Sequence, residues 1–137
     1  MTLKTSHRDI GRPLDGPLQT FDLPSLLEGI KSEEDWRAHE RNSMTLHKGP
    51  GLRVVLVAMH ARATIPAHAA AYPFSLLVVE GSVRFTAGEK TVTLRRGQML
   101  TLHAGIPHGI EAPEDAAFLL TLAAGDGELA PSRETRR

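Results

Sequence analysis

Two hydrophobic rhythms divide this chain. Leu23, Leu26, Leu27 and Ile30 recur at the spacing of one helical face, and from Met44 onward the apolar positions alternate or form short blocks closed by glycine. Asp22 suits the N-cap of the first helix, and Pro24 fits its first turn, where a missing N–H costs nothing. A second helix is predicted from Ser32, with Glu33, Glu34 and Asp35 near the positive end of its dipole. Trp36 carries enough apolar surface to dock this layer on the main body. Met44-Thr45-Leu46 predicts a short strand, Gly49-Pro50-Gly51 a turn, and Leu52–Met59 a strand buried on much of both faces. Ser75–Glu80 and Ser82–Ala87 flank Gly81, predicted to be a hairpin turn with positive φ, and Glu80 beside it is expected to be solvated. A further turn at Ala87-Gly88-Glu89-Lys90 leads to the alternating Thr91–Leu94. Met99–Leu102 and Ala116–Ala123 complete the set. Short strands at such close spacing predict an all-β sandwich or barrel.

The 137 residues suit one domain with its own core. We divide them into an N-terminal arm with two short helices (1–42), a β-barrel unit (43–125) and a mobile tail (126–137). Gly11, Pro13, Gly16 and Pro17 keep the first twenty residues from forming a helix and predict an extended arm. Sixteen basic residues balance sixteen acidic ones, so no global field draws the chain to nucleic acid or an anionic membrane. Without cysteine there are no disulfides, thiolate nucleophiles or cysteine-based zinc sites. The first residues lack the apolar run of a secretory signal and no stretch reaches membrane-spanning length, which predicts a soluble, cytoplasmic protein.

Gly97, five intervening residues, then His103-Ala104-Gly105-Ile106-Pro107-His108 form a second pattern, preceded by His68 and a closing Gly81. With these residues the chain resembles the cupin superfamily of small double-stranded β-helix barrels, over roughly residues 43 to 124. The resemblance implies a single such barrel, preceded here by the arm and two short helices. Gly97, Gly105 and His108 match the family's second motif, with His103 in place of its proline and Ala112 at its asparagine position. His68 and Gly81 match the first motif, while Ala70 and Phe74 stand where a second histidine and a glutamate are usual. Family members with the complete set hold a divalent metal (iron, manganese, nickel or zinc) on three histidines and the glutamate. Only His68 and His108 carry over here as candidate metal ligands. The resemblance also implies a homodimer.

His68, Tyr72, Phe74 and His108 are therefore the candidate residues for binding a small molecule within the barrel, and no catalytic residue is assigned. Tyr72 and Phe74 equally suit a barrel plugged by its own side chains. His103 is a weaker candidate ligand, expected to face solvent. No Ser-His-Asp order, phosphate-cradling glycine loop or H-E-x-x-H is present. Three functions stay open: a module that binds a small molecule, a metal-dependent oxygenase or isomerase, and a structural barrel that presents a surface.

Overall fold

The computed structural model describes residues 14–124, so most of the predicted arm and the predicted tail lie outside the described residues. Helix α1 (Leu23–Lys31) starts as its sequence dictates: the Asp22 side chain accepts the Ser25 N–H, and proline occupies the first turn. Ser32 closes α1 instead of opening α2, because its N–H bonds the Glu28 and Gly29 carbonyls. Its hydroxyl adds a second bond to Gly29 at 2.8 Å. The short α2 therefore runs Glu34–Ala38, with Glu33 as N-cap and His39 as C-cap.

Among the described residues nine strands follow: β1 (Arg41–Gly49), β2 (Leu52–Met59), β3 (Thr64–His68), β4 (Phe74–Glu80), β5 (Ser82–Ala87), β6 (Lys90–Arg95), β7 (Met99–Leu102), β8 (His108–Glu111) and β9 (Ala116–Ala123). They form a five-stranded sheet ordered β1-β2-β9-β4-β7 and a four-stranded sheet ordered β3-β8-β5-β6. Every strand pair is antiparallel. This two-sheet architecture agrees with the double-stranded β-helix expected from the sequence, and among the described residues no ladder joins the edges of the two sheets.

Alternation along the strands sorts two cores. Val55, Val57 and Met59 of β2 pack with Leu76, Val78, Phe85, Ile110 and Phe118 between the sheets. Leu56 and Ala58 face the other way, where Ile30, Trp36, Met44 and Leu46 cover them. Trp36 thus docks the helical layer on the sheet. Its indole also stacks on His60, with ring centroids 3.5 Å apart.

Two sequence expectations change here. Gly81 has the positive φ foreseen, +68°, but it is no hairpin turn. β4 lies in one sheet and β5 in the other, so Gly81 is where the chain crosses between them. It does so against the Asp115 backbone: a Cβ at Gly81 would overlap the Asp115 carbonyl oxygen and lie 3.1 Å from Ala116 Cα. Glu80 is not simply solvated either. It accepts a 2.7 Å charged hydrogen bond from Lys31 and ties α1 to the sheet.

Candidate functional site

β3 and β8 carry the two motif histidines. Ile65 pairs with Ile110 and His68 with His108, so Pro66 and Ala67 oppose the single residue Gly109. This is a β-bulge, and it decides where His68 points. Strict alternation from the inward Ile65 would send His68 to the outer face; the extra residue turns it back to the face that His108 shares with Ile110. Pro66 suits the irregular position because it has no N–H to contribute to a ladder. Gly109 lets the bulged backbone close in, since a Cβ there would lie 3.3 Å from the Ile65 carbonyl oxygen.

The two imidazole centroids stand 4.5 Å apart at an interplanar angle of 54°. Each ring is held the same way. His68 Nδ1 donates to the Pro66 carbonyl at 3.0 Å, and His108 Nδ1 donates to the Ile106 carbonyl at 3.0 Å. With the Nδ1 hydrogens committed to carbonyls, a neutral ring keeps its Nε2 lone pair for another group. Burial pushes both histidines below their ordinary value of 6.5, against the opposing pull of those two carbonyls, so the neutral form holds at physiological pH. His108 is only 3% exposed, whereas His68 is half-buried.

Aromatic rings wall this pair. Phe85 stacks on His108 at 5.4 Å and 10°, and Phe74 tilts against it at 5.0 Å. Phe74 is buried and belongs to the core between the sheets, so it fills the space where the resemblance would put a carboxylate. The structure thus brings His68, His108 and Phe74 together. Tyr72 is partly buried in the bend before β4, and no described ring contact joins it to the cluster. His103 is exposed just after β7. His47 bonds Gln19 and His60 bonds the Trp36 carbonyl, which gives each a local structural partner. Phe85 escaped the sequence reading because it occupies an ordinary inward position of β5. Its only sequence signal is a large ring two residues before Ala87, the partner of His108.

Among the described residues no group of three or more His, Asp or Glu side chains converges to hold a metal ion. The described donors therefore do not fit the complete ligand set implied by the resemblance. Two imidazoles are fewer than the three or four protein ligands of a firm site. No described helix is long and apolar enough to cross a membrane.

Comparison with known proteins agrees with this fold. A family model described as "Cupin domain" matches residues 55–127. A conserved protein of unknown function from Streptococcus pyogenes superposes with a TM-score of 0.62 at 20% identity, covering 81% of this chain and 91% of that one. A cupin superfamily protein from Desulfitobacterium hafniense gives 0.66 at 16% identity, with 81% and 95% covered. A mutant salicylate 1,2-dioxygenase from Pseudoaminobacter salicylatoxidans, solved in complex with gentisate, gives 0.69 at 14% identity, covering 80% of this chain and 34% of that one. At these identities the likeness is one of fold. No curated protein matches the chain.

Proposed function

The chain belongs to the cupin-domain family, and from that premise we propose that it binds a small molecule at the His68–His108 pair by hydrogen bonding rather than through a tightly held metal. One observation carries this reading: both Nδ1 atoms are committed to backbone carbonyls, so two neutral imidazoles offer their Nε2 acceptors side by side. Acceptors of this kind recognise a hydroxyl or amine donor. Phe74 and Phe85 supply the apolar wall that holds the rest of a compact ligand.

A metal-dependent oxygenase or isomerase is the second reading, favoured by the same Nδ1 bonds, because ligating histidines are commonly oriented in this way. His68 and His108 would hold the divalent ion, which would polarise a substrate oxygen when bound.

Two measurements separate the readings. Phenol, an O–H donor on an apolar ring, is titrated into the full untagged chain while the histidine side-chain NMR signals are followed. Saturable shifts of His68 and His108 together are expected, and unmoved signals overturn the binding reading. Elemental analysis of the same protein is run beside the His68→Ala/His108→Ala double variant. Substoichiometric metal in both is expected; close to one metal per chain, lost in the variant, replaces the first reading with the second. Family membership also supports a homodimer, which sedimentation equilibrium tests directly. A single-chain mass would remove that proposal.

A further inference from the structure

The outer faces of the two sheets differ in kind. On the four-stranded sheet Thr64 faces Glu111, Glu111 faces Arg84 and Arg84 faces Thr93. Arg84 and Glu111 form a 2.9 Å ion pair at the surface, so this row is made for water. The five-stranded sheet instead carries the row Leu56–Leu119–Leu77–Met99, on the side away from the core between the sheets. Helix α1 packs over β1 and β2, and α2 over β1, at one end of that row. Exposure therefore climbs along it: Leu56 is sealed, Leu119 and Leu77 are half-buried, and Met99 is 53% exposed.

The neighbouring row, Val54–Thr121–Ser75–Thr101, is also uncharged. In the row on the other side Glu80 faces Ala117, and its charge is balanced by Lys31 at 2.7 Å. An apolar strip with polar neighbours marks a contact surface. Its neutrality selects the occupant. A two-fold dimer lays a patch on its own copy, so a patch of one sign would repel its partner. This strip meets its copy without that repulsion, and it offers no charge by which to recognise a charged protein.

We propose that two copies of this chain pack these outer faces together about a two-fold axis. The proposal rests on the homodimer inferred above and gives it a contact face. Three strands about 4.8 Å apart, over about six residues of about 3.3 Å rise, outline about 300 Å² per copy. A stable interface buries about 800 Å² per partner, so this dimer is weak and reversible. Its face must then tolerate water in the free chain, which the hydroxyls of Ser75, Thr101 and Thr121 allow.

The test is sedimentation velocity on the full untagged chain, whose mass should rise from one chain toward two between about 5 and about 500 μM. Met99→Glu should weaken association more than about a hundredfold, because each copy then brings an unpaired charge into an apolar contact. Val92→Glu, at a 43% exposed position of the opposite sheet, should leave association unchanged. In the native chain the Met99 methyl NMR signal should shift with concentration while those of the buried Met44 and Met59 stay fixed. That measurement needs no variant, so it stands even if Met99→Glu fails to fold. A native chain that stays single at the highest concentration overturns both the homodimer and its face. A dimer that survives Met99→Glu, weakens equally in Val92→Glu or leaves the Met99 signal unmoved overturns the face alone. Masses beyond two chains overturn it too, because a two-fold contact closes on itself.

Discussion

Replacing Gly81 with alanine separates two costs that a glycine substitution usually mixes. Gly81 and Gly88 have nearly the same left-handed backbone, with φ of +68° and +62°. Their surroundings differ: nothing lies within 4 Å of a Cβ built on Gly88, whereas one on Gly81 overlaps the Asp115 carbonyl oxygen. Gly88→Ala therefore reports the conformational cost alone, about 1–2 kcal/mol for an L-residue in that region. Gly81→Ala bears the same cost and must also displace the Asp115–Ala116 backbone. That segment has little freedom, because the Asp115 carboxylate accepts the Ala61 N–H at 2.8 Å and Ala116 is buried. Forcing atoms into such a place costs about 1–3 kcal/mol more. For a chain of this length about 4 °C of melting temperature corresponds to each kcal/mol. Gly88→Ala should lower the midpoint by about 4–8 °C and Gly81→Ala by about 8–20 °C. Thermal unfolding followed by circular dichroism measures both in one buffer. Equal midpoints for the two variants would refute the close approach at the sheet crossover, whatever their common value.

The histidine pair yields two more expectations. His108 is buried against Phe74 and Phe85 while His68 is half-exposed, so His108→Ala should lose about 2–3 kcal/mol and His68→Ala less than about 1 kcal/mol, as urea midpoints would show. Similar losses for the two would contradict the burial difference. Both histidines titrate below 6.5 in the folded chain, so as pH falls through 6.5 the unfolded chain takes up protons first. Their contribution to stability is complete above 6.5 and is lost as pH falls toward the lower folded values. Urea midpoints at about pH 7.5 and about pH 5.5 should show that fall, and a His68→Gln/His108→Gln variant should show less of it.

Local pattern was enough for most of the elements. Leu52–Met59, Met99–Leu102 and Ala116–Ala123 are strands over the residues the sequence indicated, because alternation and β-branching act between near neighbours. The cap at Asp22 and the positive φ at Gly81 were legible for the same reason: each depends on a few adjacent residues. His68 and His108 could be picked out by motif, and Phe74 could be placed at the glutamate position. What those residues do together depends on pairing between distant strands. The bulge at Pro66-Ala67 reverses the direction of His68, and it becomes visible only when β3 is laid against β8. Gly81 looked like a hairpin because strands on either side of a glycine turn usually pair; here each finds its partners in a different sheet. Glu80 meets Lys31 across 49 positions of chain, and Arg53 joins the row of Phe74 through Leu122. Sequence alone therefore determined most of the strands, the cap of the first helix and the identity of the two histidines, since these follow from neighbours along the chain; it did not indicate β3 and β8, the strands that carry those histidines. The tertiary structure decided which side chains share a face, because the register between strands is set by the packing of the whole core.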